Sequence, residues 1–321
     1  MSLCKARDTY FDVMKIYESY IDIDPADQGH VVAIGNFDGV HIGHQKLISI
    51  AAEKAKELGC KLGVMTFNPH PRHFFQTQKE PFLLTNEAQK RNLLERLCNV
   101  DTLYNIPFTK EFSSLPADQF IEDVLIKGLN VKHIVVGHDF CFGAKRSGDT
   151  TTLKEDKRFE TTIVDVISHD NGTIYSSSEI RHALRRADIE TANSLLGWEW
   201  YIEGEVIHGD KRGRELGYPT ANMKLGNYLC PAHGVYAVKV QLEGGDKWRG
   251  GATNIGIRPM FESKEPLIET FIFDFDSEIY GQKLKVKPVS FLRGEAKFDS
   301  LEALIAQIDK DCAQARELID F

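Results

Sequence analysis

One stretch near the amino terminus, residues 31–45, constrains this chain more than any other. Val31 to Ile34 form a short apolar run typical of a buried strand, residues 35–39 form a glycine-bounded turn, and a helical pattern begins near His41. A helix that begins directly after such a turn presents its unpaired amide groups and the positive end of its dipole to it. The stretch therefore predicts an α/β unit with a site for an anionic group such as a phosphate.

Two histidines, His41 and His44, lie in the first turn of this predicted helix. Because they are three residues apart, both imidazole rings face one side of the helix and can reach the same ligand. Gly43 has no side chain, which lets a flat base or a ribose lie against the backbone. In the alternative interpretation, His41 only caps the helix and His44 only packs.

The rest of the first half alternates between strands and helices. Apolar runs predict strands at 62–67, 102–106 and 132–136, and helical spacing predicts helices at 45–58, 86–97 and 116–129. Such alternation predicts a parallel, doubly wound sheet with right-handed crossovers, as in Rossmann-like domains. Ligands bind at the carboxyl ends of the strands in these sheets, which draws attention to the loops that follow them.

Two of these loops carry candidate binding residues. Asn68, Pro69 and His70 belong to a loop in which two prolines are expected to prevent regular structure, although a stiff surface turn is the alternative. Gly137 and Asp139 follow the predicted strand 132–136. Asp139 either holds a ribose hydroxyl or a metal-bound water, or stabilises an Asx turn.

The last candidate segment of the first half opens a helix near residue 176. Ser177, Ser178 and Arg181 form a second set of groups suited to an anion, although a serine at a helix start is often just a cap.

The second half has a different pattern of apolar residues. After a predicted helix at 187–196 that ends at Gly197, short alternating strands separated by glycines predict an antiparallel β-barrel, and residues 299–318 predict a closing helix capped by Asp299.

Pro219 fixes the chain before Thr220 and Asn222, whose oxygens suit Mg²⁺ bound to ATP phosphates. In a strand with a period of two, Glu269 shares one face with Phe271, Phe273 and Phe275, which places a carboxylate on an apolar, inward face. It is either a catalytic base or an ion-paired residue at a strand end.

Composition restricts the partners. The chain has 321 residues, enough for two domains, and its formal net charge of −8 argues against nucleic acid as a ligand. Six cysteines without a C-x-x-C pair are expected to be reduced thiols in a cytoplasmic protein. We find no apolar run long enough to span a membrane and no signal peptide, so neither membrane insertion nor export is expected.

These motifs together resemble a known family. His-x-Gly-His resembles the signature of the nucleotidyltransferase superfamily, and residues 35–45 are similar to the adenylyltransferase half of prokaryotic bifunctional riboflavin kinase/FAD synthetases. Residues 66–72, 137–143 and 176–181 resemble further motifs of that half, with Ser178 in place of a threonine. Residues 204–222, 231–236 and 254–259 resemble motifs of the kinase half, and Met260 departs from the usual threonine.

The resemblance implies an adenylyltransferase domain at 14–186 and a riboflavin kinase domain at 187–321, using Mg²⁺, ATP, riboflavin and FMN. It implies that Glu269 is the base of the kinase, that His41, His44 and Arg181 stabilise charge in adenylyl transfer, and that Thr220 and Asn222 hold the metal. The implied nucleotide- and flavin-binding residues are Gly35, Phe37, Gly39, Gly43, Asn68, Pro69, His70, Gly137, Asp139, Ser177, Ser178, Gly213, Arg214, Gly217, Pro219, Asn254 and Arg258. The oligomeric state stays open. Two other interpretations stay open as well, namely a protein of this fold with only one activity and a flavin-sensing or RNA-binding regulator.

Overall fold

The structure, a computed structural model, describes residues 13–76, 80–169, 172–209, 213, 216–257 and 266–319. The chain folds into two units, one formed by Met1–Lys79 with Glu87–Thr173 and the other by Glu80–Asn86 with Ile174–Phe321. Residues 174–186, which the sequence suggested for the first domain, pack with the second unit. The boundary between 186 and 187 stays a prediction.

The first unit contains a parallel sheet. Its strands are β1 (Lys15–Tyr17), β2 (Val31–Ile34), β3 (Leu62–Asn68), β4 (Thr102–Pro107) and β5 (His133–Gly137), followed by a short antiparallel pair, β6 (Cys141–Phe142) and β7 (Gly148–Asp149), and by β8 (Glu160–Val164). The six strands of the main sheet lie in the order β1-β4-β3-β2-β5-β8, and the paired strands run parallel. The predicted doubly wound architecture is confirmed.

Helices connect these strands. They are α1 (Ile42–Glu57), α2 (Pro71–Phe75), α3 (Glu87–Cys98), α4 (Lys110–Ser113), α5 (Ala117–Gln119), which continues as a π-helix over Phe120–Gly128, and α6 (Thr150–Glu155); short 3₁₀ turns lie at Pro25–Asp27 and Ala144–Arg146. The expectation that the two prolines prevent regular structure is wrong at Pro71. A proline at the first helical position has no amide hydrogen that needs a partner, so Pro71 starts α2 and does not break it.

The central strand β2 explains the apolar run that opens the sequence pattern. Its four residues are at most 1% exposed, because the strand has a neighbour on each side and is covered on both faces. From β2 the chain moves outward through β3 to β4 and then returns to β5 on the other side of β2. The carboxyl ends of β2 and β5 therefore border the switch point at which doubly wound sheets bind ligands.

The second unit contains an antiparallel barrel. From residue 174 onward, this unit starts with two helices, α7 (Ser177–Arg185) and α8 (Ile189–Leu196). The strands of the barrel follow: β9 (Ile202–Glu205), β10 (Thr220–Lys224), β11 (Gly234–Leu242), β12 (Trp248–Gly256), β13 (Leu267–Ile272) and β14 (Lys283–Arg293). The last element is helix α9 (Leu301–Leu318). The strand order is β10-β13-β12-β11-β14-β9. After β9 the amide of Ile207 donates to the carbonyl of Asn222 in β10 at 2.8 Å, which brings the two edges of the sheet together.

Three details of the second unit differ from the sequence predictions. Strand β13 ends at Ile272, so Phe273 and Phe275 lie beyond the alternation expected for them. Within β13 the buried face carries Ile268, Thr270 and Ile272, so Glu269 lies on the opposite, partly exposed face and not on the packed one. Helix α9 is capped by Ser300, whose hydroxyl accepts from the amide of Ala303 at 3.1 Å, and not by Asp299.

No disulfide joins the five described cysteines, which are Cys60, Cys98, Cys141, Cys230 and Cys312. Within the described residues, no helix has the length and apolar character needed to cross a membrane.

Candidate active sites

The turn after β2 has an unusual backbone. Phe37, Gly39 and Val40 all have positive φ angles, of 49°, 85° and 38°. A Cβ on Gly35 would lie 3.0 Å from the Phe37 ring, so the absence of a side chain there lets that ring fold back over the strand end. The turn is thereby compact, and it brings the start of α1 close to the carboxyl end of β2.

His41 and His44 meet at the start of α1. His41 is the N-cap, and its Nδ1 accepts from the amide of His44 at 3.3 Å. The two rings are stacked with centroids 3.6 Å apart, and the edge of the Phe37 ring packs on His44 at 5.2 Å. His41 is only 5% exposed, whereas His44 is half-buried. The capping role considered for His41 is therefore present, and the imidazoles also lie together at one helix start, with Gly43 between them.

Two residues that the sequence interpretation missed support this turn. The Thr66 hydroxyl donates to the carbonyl of Asn36 at 3.1 Å. The ammonium of Lys90 lies 3.3 Å from the Thr66 hydroxyl and 3.3 Å from the carboxylate of Glu87, and Lys90 is only 6% exposed. A lysine in an amphipathic helix is ordinarily a solvent-facing residue, so its burial was not visible in the sequence.

The loop candidates of the first unit follow β3 and β5. Asn68 is the last residue of β3, and His70, after Pro69, caps α2 by accepting from the amide of Arg72 at 3.1 Å. Gly137 ends β5, and a Cβ there would lie 3.3 Å from the Asp139 carboxylate, which therefore folds back over the strand end. Because Ala33 is opposite Val135 in the sheet, Gly35, directly after β2, is level with Gly137 at the end of β5.

The serine and arginine candidates start α7 in the second unit. Ser176 is the N-cap and accepts from the amide of Glu179 at 3.2 Å, so Ser177 and Ser178 occupy the first helical turn. Arg181 is 7% exposed. Its Nε donates to the carbonyl of Phe82 at 2.8 Å, and its guanidinium lies 5.3 Å from the centre of the Phe82 ring. Arg181 thus anchors the segment 80–86 within its unit, and its expected contact with a triphosphate stays a prediction.

The candidates of the barrel converge through strand register. Asn222 in β10 and Asn254 in β12 both lie opposite Glu269 in β13, so three polar side chains form one row across neighbouring strands. Thr220 lies two residues before Asn222 and therefore on the same face. All four line a cavity of about 1460 Å³.

The side-chain amide of Asn222 is oriented so that its oxygen is suited to binding a ligand. It is 6% exposed, and its Nδ2 donates to the carbonyl of Thr220 at 3.1 Å. Its Oδ1 is buried and has no hydrogen-bond partner among the described residues. A Cβ on Gly209 would lie 2.5 Å from the Asn222 amide nitrogen, so the chain passes directly over this side chain. A buried oxygen in this state costs stability unless a ligand or water satisfies it.

The backbone before β10 requires glycine at two positions, 213 and 217. The carbonyl of Gly213 accepts from the amides of Leu216 and Tyr218, and a Cβ on Gly213 would lie 2.4 Å from the Tyr218 carbonyl. Gly217 has a φ of 87°, and the following Pro219 leads into β10. Arg214 and Arg258, both expected to bind substrate, lie outside the described residues, as does Met260.

Helix α9 supplies a further wall of the cavity through Leu304, Ile308 and Cys312. It is held to β14 by Arg293, whose guanidinium donates to the Asp311 carboxylate at 2.7 to 3.0 Å. Burial raises the pKa of the Cys312 thiol to about 11, so the thiol is neutral at pH 7.

Comparison with known proteins assigns each half of the chain. Residues 23–178 match the family model for FAD synthetase, and residues 196–319 match the model for riboflavin kinase. The bifunctional riboflavin kinase/FMN adenylyltransferase of Bacillus subtilis is 44% identical over 292 residues, covering 89% of this chain and 91% of that protein. The protein of the same name from Escherichia coli K12 is 38% identical over 308 residues, covering 95% and 97%.

A solved structure shares the fold over most of the chain. It comes from Streptococcus pneumoniae, bears the name macrolide-efflux protein, and is 33% identical with a TM-score of 0.82 over 95% of this chain and 99% of that one. That name concerns the Streptococcus protein only, and the similarity establishes the common fold.

A doubly wound unit together with a barrel whose cavity carries a carboxylate and two amides fits a two-domain transferase. The family models and the curated relatives specify the class further. The chain belongs to the bifunctional riboflavin kinase/FMN adenylyltransferase family. It is an enzyme of flavin-cofactor synthesis with both a kinase and an adenylyltransferase domain.

Proposed function

We propose that the second unit phosphorylates riboflavin to FMN at the expense of ATP, and that FMN is then adenylylated to FAD with release of pyrophosphate at a site built around α1. The observation that carries the proposal is the row of Asn222, Glu269 and Asn254 on one cavity wall. A cavity of about 1460 Å³ is larger than the roughly 300–1,000 Å³ of a site for one drug-sized ligand, as two substrates require.

In the kinase step, Glu269 is the general base. It takes the proton from the terminal ribityl hydroxyl of riboflavin while that oxygen attacks the γ-phosphorus of ATP. The new bond joins the ribityl oxygen to phosphorus, the bond from the γ-phosphorus to the β,γ-bridging oxygen breaks, and ADP leaves. Asn254, opposite Glu269 in the sheet, orients the reacting groups. Such a base typically contributes 10²- to 10⁴-fold to the rate.

The residues near Glu269 fit a magnesium ion carried by ATP. The buried Oδ1 of Asn222 and the hydroxyl of Thr220 lie on one face of β10 and would hold the ion as hard oxygen ligands. When bound, Mg²⁺ neutralises charge on the transferring phosphates. The Asn222 bond to the Thr220 carbonyl keeps the amide oriented with its oxygen available.

In the adenylyltransferase step, the FMN phosphate attacks the α-phosphorus of ATP and pyrophosphate leaves, so the chain supplies position and charge and no covalent nucleophile. His41 and His44 stabilise the negative charge that develops at the start of α1. The residues proposed to border the nucleotide and flavin in the first unit are Gly35, Phe37, Gly39, Gly43, Asn68, Pro69, His70, Gly137 and Asp139.

The proposed location is the cytoplasm, which fits the five described free cysteines. The proposed small-molecule partners are riboflavin, FMN and ATP. The net charge of −8 supports the absence of nucleic acid from this set.

The direct test is to incubate the purified protein with riboflavin, ATP and Mg²⁺ and to separate the flavins by chromatography over time. We expect FMN to appear first and FAD after it. FMN without FAD, even when FMN is supplied, would reduce the function to the kinase. No product from either flavin would favour the regulator, which salt-dependent RNA binding would then identify.

A further inference from the structure

Tyr218 is a cavity residue to which the proposed mechanism gives no role. It lies between Gly217 and Pro219, two residues before the proposed metal ligand Thr220. Its ring packs edge-on against Phe271, with centroids 5.4 Å apart and an interplanar angle of 79°. Phe271 lies opposite Thr220 in the register and two residues after Glu269. The ring of Tyr218 is therefore part of the wall beside the proposed base.

The hydroxyl of Tyr218 reaches a different element. It donates a hydrogen bond to the carboxylate of Asp309 in α9. Leu304, Ile308 and Cys312 of the same helix line the cavity, whereas Asp309 is exposed. The bond thus joins the segment before β10 to the helical wall.

This connection differs from the other links between α9 and the barrel. Arg293 and Asp311 connect α9 to the end of β14, and Arg316 pairs with Asp274 at 3.0 and 3.1 Å, just after β13. Of these three links between described residues, only the hydrogen bond from Tyr218 to Asp309 reaches the segment that carries Thr220 and Asn222. It links the proposed phosphate end of the cavity to its apolar wall.

We propose that Tyr218 is a positioning residue for riboflavin phosphorylation, and that its bond to Asp309 holds the Thr220 segment and α9 together around the bound substrates. The inference rests on the proposed kinase site. The ring is fixed on one side by Phe271 and at its hydroxyl by Asp309, so the wall is ordered before substrate binds. Ordering a site in advance reduces the cost of binding.

Tyr218→Phe is the informative variant, because it keeps the ring and removes only the hydroxyl. We expect the KM for riboflavin and the KM for ATP in the kinase reaction to rise about fivefold, the effect of one lost hydrogen bond. We expect kcat to change less than about twofold, since the bond contributes equally to the ground state and the transition state.

Asp309 provides the reciprocal test. Asp309→Ala is expected to raise KM as Tyr218→Phe does, and the double variant is expected to be no worse than either single one, because both remove the same bond. Asp309→Asn keeps an acceptor oxygen and is expected to recover most of the lost affinity. A merely structural contribution of Asp309 to α9 would not show this recovery.

Arg316→Ala is the matched control. It removes another tether of the same helix, because the guanidinium that donates to Asp274 is lost, and neither Asp274 nor Arg316 belongs to the described lining of the cavity. We expect its kinase KM values to be unchanged. FAD formation from supplied FMN, measured on each variant, reports on the first unit and is expected to stay constant.

KM values for Tyr218→Phe within about twofold of those of the parent protein, or additive effects of Tyr218→Phe and Asp309→Ala, would overturn the inference. Failure of the underlying site assignment gives a different result. In that case Glu269→Gln would retain kinase activity, whereas an inactive Glu269→Gln with an unaltered Tyr218→Phe would refute the role of Tyr218 alone.

Discussion

The two units build their candidate sites in opposite ways. In the first unit, the residues around α1 come from one continuous stretch at the carboxyl edge of a parallel sheet, and the backbone of the turn contributes as much as the side chains. In the barrel, Asn222, Asn254 and Glu269 lie on three strands and meet only because of their register. A helix start is a local device that suits phosphate chemistry, whereas a barrel wall can arrange a base, amides and a large cavity.

This contrast predicts that single substitutions will separate the two activities. Each unit has its own sheet and its own buried apolar cluster, so a change in one set of polar side chains leaves the core of the other unit intact. Each variant consequently carries an internal control, because the reaction of the other unit reports whether the protein is folded.

The largest expected effect is that of Glu269→Gln. The amide keeps the size of the side chain but is not a base, so FMN formation should fall by about 10²- to 10⁴-fold. Initial rates with riboflavin and ATP measure the loss. FAD formation from supplied FMN should change less than about twofold, and an equal loss of both reactions would contradict separate sites.

His44→Ala is the complementary change in the first unit. Removal of one charge-stabilising contact should lower FAD formation on the order of 10²-fold. Initial rates with FMN and ATP measure this loss, and the riboflavin kinase rate should stay near that of the parent protein. Because His41 caps α1 with its own Nδ1, His41→Ala should in addition lower stability by about 1 kcal/mol, which thermal unfolding detects.

Asp27→Asn tests the end of the first sheet opposite its candidate site. Asp27 is fully buried, and the side chains of Lys15, Tyr17 and Lys61 donate to its carboxylate at 2.6, 2.7 and 3.4 Å. Burial acts to raise the pKa of the Asp27 carboxyl. The three hydrogen bonds outweigh burial and lower this pKa to about 2. The substitution should cost about 2 kcal/mol at pH 7, which denaturant unfolding measures.

The same cluster gives a pH dependence of defined sign. Because the pKa in the folded state lies below the ordinary value near 3.8, Asp27 stabilises the fold above about pH 4, and this contribution disappears as the pH falls towards 2. Asp27→Asn should therefore lose less stability than the parent between pH 4 and pH 2. A parallel loss in both proteins would show that Asp27 does not contribute to acid unfolding.

A smaller effect is expected from Asn222→Ala. Loss of one oxygen ligand should raise the Mg²⁺ concentration that gives half-maximal kinase rate about tenfold, equivalent to ~1.4 kcal/mol. Titration of Mg²⁺ at fixed ATP measures the shift. The Mg²⁺ dependence of FAD formation serves as the control, and a change there of the same size would exclude Asn222 as a ligand specific to the kinase.

Much of the fold was predictable because it depends on local patterns. The apolar runs of β2 and β5, the glycine that ends α8, and the alternation of strand and helix all follow from burial and backbone preference. Errors arose where one residue type has two structural uses. Pro71 starts a helix where an irregular loop was expected, and Ser300 caps α9 in place of its neighbour Asp299.

The sequence by itself determined the two-domain organisation, the anion-suited start of α1 and the identity of the family, because these depend on contiguous motifs. Only the tertiary structure decided which residues meet across strands. It placed Glu269 on the cavity face, left the Asn222 oxygen buried without a partner among the described residues, buried Lys90 beside Thr66, and joined Tyr218 to Asp309. The physical reason is register: a shift of one residue in strand pairing turns each side chain to the other face.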